Sequence, residues 1–104
     1  HFSGEVSYYA DSLAGHATAS GRPYDPNLAT AAHRDLPFGS VLRLRRVPDG
    51  PSCLVVVNDR GPFGKKSRVL DVSGAAADAL GLRRAGVAEV EVEVLYRPAK
   101  KRRP

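Results

Sequence analysis

Two stretches of the chain alternate apolar and polar side chains with a period of two. Glutamate and valine alternate over residues 89–94, and leucine and arginine alternate within residues 41–47. In a β-strand this spacing places the apolar side chains on one face and the charged ones on the other. Both stretches are therefore predicted to be half-buried strands. Residues 54–57 are apolar at every position, which predicts a central strand buried on both faces.

Two more strands and three loops complete the β part of the prediction. Residues 4–10 and 68–72 are rich in strand-forming side chains. Residues 12–27 consist largely of small and turn-forming side chains, which predicts a long loop. Residues 48–51 predict a turn, and residues 58–64 predict a glycine- and proline-rich loop that follows the apolar strand.

Two short helices are predicted from their capping residues. Asp25 and Pro26 have the types expected at the cap and first position of a helix, which is predicted to run from residue 27 to about His33. Ser73 is the expected cap of a second, alanine-rich helix that ends at Gly81.

Short strands, long loops and two short helices indicate a mainly β fold, closed into a small barrel. Closure removes the unpaired strand edges on which other chains aggregate. The 104 residues suffice for one domain. With 42 % hydrophobic and 26 % charged residues, the composition is typical of a soluble globular protein and excludes a wholly disordered chain. No stretch approaches the ~18 consecutive apolar residues of a membrane-spanning helix.

The positive charge is concentrated near the end of the chain. There are 16 basic and 11 acidic side chains, and four of the basic ones lie at residues 100–103. The other 12 nearly balance the acids, so the folded body is close to neutral. We therefore predict a domain over residues 1–97 and a flexible basic tail over residues 98–104. Nucleic-acid binders carry their charge on the fold, among aromatic side chains, so no nucleic-acid partner is expected.

Cysteine and histidine show no metal-binding pattern. Cys53 is the only cysteine and lies in an apolar run, which favours a buried core thiol over a nucleophile. The three histidines and this cysteine lack the spacing of a zinc site. The sequence therefore predicts no structural metal, and it implies no cofactor.

Three blocks of residues carry more specific information. Residues 18–21 read Thr-Ala-Ser-Gly and precede Tyr24 and Asp25. Residues 30–39 read Thr-Ala-Ala-His-Arg-Asp-Leu-Pro-Phe-Gly, and residues 57–63 read Val-Asn-Asp-Arg-Gly-Pro-Phe. This ordered combination resembles the RlpA-like family, the rare lipoprotein A or septal-ring lytic transglycosylases of bacterial envelopes. The resemblance covers residues from about 4 to 95.

The resemblance implies a six-stranded double-psi β-barrel with two short helices, related to the domains of expansins and family-45 endoglucanases. Active family members cleave the β-1,4 bond between N-acetylmuramic acid and N-acetylglucosamine without water and leave a 1,6-anhydro end. The implied partner is the glycan strand of peptidoglycan, and the implied location is the cell envelope or the secreted fraction. A monomer is the default expectation, and no targeting segment is expected within this chain.

Asp59 corresponds to the catalytic aspartate of the family. A lytic transglycosylase uses the 6-hydroxyl of the sugar as its nucleophile, so one acid/base group suffices where ordinary glycosidases need two. Such an acid must be protonated near neutral pH, which favours a partly desolvated position. Taken locally, Asp59 is equally an aspartate of a turn that pairs with Arg60 or caps backbone amides.

The resemblance places other residues beside Asp59. His33 corresponds to the functional histidine of the family, which orients the acid or holds a sugar hydroxyl; the alternative is a histidine bonded to a carbonyl. Asp71 is either a second carboxylate of the groove or a structural one. Tyr24, with Tyr8 or Tyr9, has a ring suited to stacking on sugars or to packing in the barrel. The candidate substrate-binding residues are Ser20, Arg22, Tyr24, Asn58, Arg60 and Asp71.

Arg22 departs from the family pattern, which has glutamate after Ser-Gly. A cation close to Asp59 would favour the ionised carboxylate and oppose its role as an acid. Arginine is also suited to binding the carboxylates of wall polymer. The sequence therefore leaves open an active transglycosylase, a wall-binding module with weak or no catalysis, and a module for a non-carbohydrate partner.

Overall fold

The computed structural model describes residues 1–99. Of the tail predicted over residues 98–104, residues 100–104 lie outside the described part. A 3₁₀ turn covers Asp11–Leu13 within the long loop after the first strand. The strands are β1 Phe2–Tyr8, β2 Thr30–Ala32, β3 Val41–Arg46, β4 Ser52–Asp59, β5 Arg68–Val72 and β6 Ala88–Tyr96, and the helices are α1 Gly74–Ala79 and α2 Leu82–Ala85.

The six strands form one closed barrel in the order β1-β5-β2-β4-β3-β6. Two pairs, β1 with β5 and β2 with β4, are parallel, and the other four are antiparallel. Neither parallel pair is consecutive in the chain, so the partners of each are joined through the strands and loops between them. The prediction of a mainly β, six-stranded closed barrel is confirmed.

The barrel encloses one apolar core. Side chains from all six strands and from the helical segment meet in it, and most of them are fully buried. Cys53 is half-buried and packs against this core, and burial raises the pKa of its thiol from 9.0 to about 11. The core members with the largest side chains are Val6, Leu36, Leu42, Leu44, Val55, Val57, Leu70, Val72, Leu80, Leu82, Val90 and Val92.

The alternating stretches form neighbouring strands, as predicted. The charged face of β3 lies opposite the charged face of β6. Arg43 contacts Glu93 at 2.7 Å, and Arg45 contacts Glu91 at 2.9 Å. These cross-strand pairs are largely exposed, so each contributes well under about 1 kcal/mol. They keep the polar face in solvent while the valines and leucines fill the barrel.

The helix predicted over residues 27–33 is wrong. Residues 30–32 instead form β2, which is buried between β4 and β5. Asp25 does cap a backbone amide, since its carboxylate accepts from Asn27 N at 2.9 Å, but it stabilises a turn. The strand forms because its backbone groups are paired on both sides by distant strands, which overrides the local helical pattern.

The prediction that residues 54–57 are buried on both faces is also wrong. Val55 and Val57 point into the core, whereas Leu54 is 53 % exposed and Val56 is 40 % exposed. A small barrel has a single interior, so β4 turns only alternate side chains into the core, and Leu54 and Val56 point outward.

The helical segment after β5 begins as predicted. The Ser73 hydroxyl accepts from Ala76 N at 3.4 Å, and α1 ends before Gly81, whose φ of +66° suits glycine. The second helix is α2, which follows Gly81 directly. Within residues 1–99, neither helix is long or apolar enough to cross a membrane.

Candidate active site

Asp59 lies at the end of β4, where the barrel brings three strands together. Ala32 of β2 is opposite Asp59 on one side and opposite Asp71 on the other. The β2–β4 register shifts between Ala31 and Ala32, and such a bulge redirects the side chains beside it. The two aspartates are therefore separated by one intervening strand, about 10 Å between Cα atoms from the usual strand spacing.

Both oxygens of the Asp59 carboxylate accept hydrogen bonds. Oδ1 accepts from the backbone amides of Ala19 at 2.8 Å and Arg60 at 2.9 Å. Oδ2 accepts from the Tyr9 hydroxyl at 2.5 Å. No basic side chain within residues 1–99 forms an ion pair with this carboxylate. Asp59 is thus held by neutral donors. Of the two forms of the turn alternative, pairing with the Arg60 side chain is not observed, whereas capping of backbone amides is.

The loop of residues 18–22 covers the end of β4. Ser20 N donates to the Asn58 carbonyl at 3.3 Å, and the Thr18 hydroxyl donates to the Arg22 carbonyl at 2.8 Å. These bonds direct the Ala19 amide at Asp59. The Arg22 side chain is exposed and forms no ion pair with any acid of the described residues.

Two tyrosines pack against each other beside Asp59. The Tyr9 and Tyr24 rings meet edge to face, with centroids 4.9 Å apart and planes at 89°. Tyr24 is only 4 % exposed, and its hydroxyl accepts from Gly74 N at 2.9 Å. Burial raises the pKa of Tyr24. Tyr24 therefore packs against Tyr9 from the buried side. Its own ring is buried and does not form a surface on which a sugar can stack.

The Tyr9 phenol resists ionisation. Its pKa is raised first by burial, then by the hydrogen bond to Asp59, and further by the charges of Asp59 and Asp71. Tyr9 therefore stays protonated and keeps its donor. Tyr8 belongs to another cluster, since its hydroxyl donates to the Arg83 carbonyl at 3.1 Å.

His33 joins Asp59 through the backbone only. Its amide donates to the Asp59 carbonyl at 3.2 Å. Its Nδ1 accepts from Asp35 N and Leu36 N, both at 3.0 Å, which leaves the proton of the neutral ring on Nε2. Burial lowers the pKa of His33, so the neutral form is favoured. The imidazole forms no hydrogen bond with the Asp59 carboxylate.

The His33 ring lines an open cavity of about 780 Å³. Phe2, Leu36 and Pro37 give it apolar walls, and Asp35 and Arg97 are among its polar residues. Its volume is within the range of small-ligand sites, about 300–1,000 Å³. Asp59 is not in its lining, so the structure places the two principal candidate residues on adjacent but separate surfaces.

Arg60 and the remaining candidates have structural contacts. The Arg60 guanidinium donates to the carbonyls of His33 at 3.2 Å and Leu36 at 2.7 Å, and it lies 4.1 Å over the Phe38 ring centroid. It thereby holds the turn that carries His33. Asp71 accepts from the Ser7 hydroxyl of the neighbouring strand. The side-chain oxygen of Asn58 is buried, with no hydrogen-bond partner in the described part of the chain.

Sequence reasoning missed how Asp59 is held. It named Tyr9 only as one of two alternatives for sugar stacking, and it did not identify the Ala19 amide. These partners lie 50 and 40 residues from Asp59 along the chain. No local pattern connects positions so far apart, although the Thr-Ala-Ser-Gly block does mark the loop involved. Among residues 1–99 no cluster of three or more metal-binding side chains occurs.

The fold and site together define a double-psi β-barrel with a hydrogen-bonded aspartate at a strand end. The Streptomyces papain inhibitor has the same fold, with a TM-score of 0.65 over 88 % of this chain and 92 % of the inhibitor. At 22 % identity, this likeness concerns the fold alone. The expected double-psi architecture is confirmed.

The chain belongs to the lytic transglycolase family, whose profile matches residues 1–92. It is 51 % identical over 89 residues to the probable endolytic peptidoglycan transglycosylase RlpA of Treponema pallidum, and 47 % over 98 residues to that of Nostoc sp.. It is 43 % identical over 93 residues to the endolytic peptidoglycan transglycosylase RlpA of Vibrio cholerae. These matches cover 86 %, 92 % and 89 % of this chain, but only 28 %, 26 % and 35 % of the relatives. The RlpA-like resemblance is confirmed.

Proposed function

We propose that this domain is a peptidoglycan lytic transglycosylase of the cell envelope. Its substrate is the glycan strand, and it cleaves the β-1,4 bond from N-acetylmuramic acid to N-acetylglucosamine. The observation that carries the proposal is the Asp59 carboxyl, held at a strand end by neutral donors. The names of the relatives from Treponema pallidum, Nostoc sp. and Vibrio cholerae support the reaction class.

Asp59 acts in both halves of the reaction. As an acid it gives its proton to the bridging oxygen while the bond from that oxygen to C1 of the muramyl sugar breaks. The 6-hydroxyl oxygen of the same sugar then bonds to C1, and Asp59 takes the proton that the hydroxyl releases. The carboxyl ends as it began and no water is consumed, so a single acid/base group is sufficient.

The hydrogen bonds indicate which oxygen carries the proton. Oδ1 faces two backbone amides, which only donate, so a proton there would lose both bonds. Oδ2 faces the Tyr9 hydroxyl, which can accept a hydrogen bond as well as donate one. The acid proton therefore resides on Oδ2.

His33 contributes to binding. Its Nδ1 is occupied by two backbone amides, and the remaining Nε2–H is a donor suited to a sugar hydroxyl or to an acetamido or carboxylate oxygen. The apolar walls of the adjoining cavity suit the faces of a sugar ring. Of the two roles that the family resemblance allows, this geometry supports the sugar-holding one.

The product identifies the reaction. Purified glycan strands are incubated with the wild type and with Asp59→Asn, and the products are analysed by mass spectrometry. We expect anhydromuramyl ends from the wild type and none from the variant. An inactive wild type, under conditions where the Vibrio cholerae relative yields these ends, would refute the proposal.

Arg22 favours a second candidate, a wall-binding module with little or no turnover. Its exposed cation, which forms no ion pair within residues 1–99, lies on the loop that donates to Asp59, at the family's glutamate position. A cation there suits the carboxylates of the wall polymer. This candidate predicts co-sedimentation with peptidoglycan that survives Asp59→Asn, is weakened by Arg22→Gln, and occurs without any anhydromuramyl product.

A further inference from the structure

We propose that Tyr9 is a positioning residue, whose hydroxyl orients the Asp59 carboxyl and stabilises it after it has given up its proton. The inference rests on the proposed function, in which Asp59 is the acid and base.

The hydrogen bond from the Tyr9 hydroxyl to Asp59 differs in kind from the other two that Asp59 accepts. Of the three donors to Asp59 within residues 1–99, Tyr9 is the only side chain and the only group able to reverse its hydrogen bond. The Ala19 and Arg60 amides hold Oδ1 in every protonation state. Among the described residues, only Tyr9 bonds to Oδ2, the oxygen that loses and regains the proton. Only this hydrogen bond can therefore change direction with the protonation state of Asp59.

The fold also holds the Tyr9 phenol in place. Tyr9 N donates to the Val72 carbonyl at 3.0 Å, which continues the β1–β5 pairing by one residue. Its ring rests on the edge of Tyr24, whose own hydroxyl is bonded to the first residue of α1, Gly74. A preorganised donor stabilises developing charge without having to reorient during the reaction.

The strength of the hydrogen bond between Tyr9 and Asp59 changes during the reaction. When Asp59 is protonated, the phenol exchanges a neutral hydrogen bond with it. After the first proton transfer the carboxylate is charged, and a bond from a neutral donor to a charged acceptor is the stronger kind. Tyr9 therefore stabilises the charged state more than the resting one, which affects turnover rather than substrate affinity.

The test compares Tyr9→Phe with Tyr8→Phe. Each variant loses one hydroxyl from adjacent residues, but the Tyr8 hydroxyl bonds to the Arg83 carbonyl and has no contact with Asp59. The kcat and KM of both variants on glycan strands are measured over a range of pH. The thermal unfolding midpoints of the two variants show how much stability each loses with its hydrogen bond.

For Tyr9→Phe we expect kcat to fall by about tenfold or more with KM nearly unchanged, the effect of losing one hydrogen bond to a charged group. The alkaline limb of its kcat/KM profile moves to higher pH, because the ionised carboxylate has lost a stabilising donor. Tyr8→Phe retains the wild-type values. Equal kcat and equal pH profiles in the two variants would overturn the inference.

A measurement that needs no activity separates this inference from the proposed function. The ionisation of Tyr9 is isolated by tyrosinate absorbance, as the difference between the wild type and Tyr9→Phe. The same difference is measured in an Asp59→Asn background. Since Asp59 helps to raise the pKa of Tyr9, Tyr9 should ionise at lower pH in that background. An inactive wild type that still shows this change refutes only the proposed function, whereas no change overturns the Tyr9–Asp59 coupling.

Discussion

His33 and Asp59 share a backbone hydrogen bond, His33 N to Asp59 O at 3.2 Å, while their side chains have different partners. The Asp59 carboxylate is bonded to Tyr9 and two amides, and the His33 ring is bonded to the turn that follows it. Two parallel strands thus place these two candidate residues side by side, and no side-chain hydrogen bond joins them. Kinetic changes at the two positions should therefore differ in kind.

Asp59→Asn should greatly reduce turnover and leave the fold intact. The asparagine oxygen can keep both amide donors, and its NH₂ can donate to the Tyr9 hydroxyl. Turnover should fall by about 10²–10⁴-fold, the usual contribution of an acid/base group. The rate of release of anhydromuramyl products and the thermal unfolding midpoint are measured together. The matched control is Asp49→Asn, in an exposed turn, and equal activity in the two variants would contradict the role of Asp59.

His33→Ala should raise KM more than it lowers kcat. The ring lines the cavity and has no hydrogen bond with the carboxylate, so its loss weakens binding of the glycan before it affects proton transfer. A roughly tenfold rise in KM is expected for one lost hydrogen bond of about 1.5 kcal/mol. The check is a saturation curve on glycan strands. A fall in kcat at constant KM would instead indicate that His33 acts on the reacting atoms.

Stability should decrease as the pH falls below 6.5, the ordinary pKa of histidine. Burial lowers the pKa of His33 in the folded chain, so the unfolded chain binds a proton that the folded chain excludes. The contribution is fully present above 6.5 and is lost as pH falls toward the folded pKa. Denaturant unfolding across this range should give a shallower pH dependence for His33→Gln than for the wild type. His16→Gln, at an exposed histidine, should retain the wild-type dependence; identical slopes in all three proteins would exclude this origin.

Arg22→Glu should increase turnover several-fold. It replaces a cation by an anion on the loop that donates to Asp59, and a nearby negative charge favours the protonated, acid form of a carboxyl. Arg84→Glu makes the same charge change at an exposed position of α2 and serves as the control. Initial rates are compared at low salt, where exposed charges are least screened. A gain that Arg84→Glu shares would show only a change in net charge.

Much of the barrel could be predicted locally. The alternating stretches became β3 and β6, and Ser73 caps α1, because side-chain periodicity and capping depend on neighbours in the chain. Residues 27–33 misled the prediction, because a proline after a capping aspartate has the local pattern of a helix start. Ala31 and Ala32 instead pair with β4 and β5, which lie outside this segment, and this pairing makes residues 30–32 a strand.

For the candidate site, too, the identity of the main residues could be predicted from the sequence, whereas their contacts could not. Three sequence blocks identified the family and singled out Asp59 and His33, because motifs keep their residue types and spacing along the chain. The orientation of those side chains was not predictable from any block. Tyr9 reaches Asp59 across 50 residues, and the Arg60 guanidinium holds the turn around His33.

The amino-acid sequence alone determined that this chain is a mainly β barrel of the RlpA-like family with an aspartate at position 59 as its chief candidate. Tertiary structure alone decided that β2 is a strand, that Leu54 and Val56 face solvent, and that Asp59 is held by Tyr9 and two amides. The physical reason is that strand pairing, barrel closure and hydrogen bonding join residues that are remote in the chain, and their energies act only once the barrel has closed.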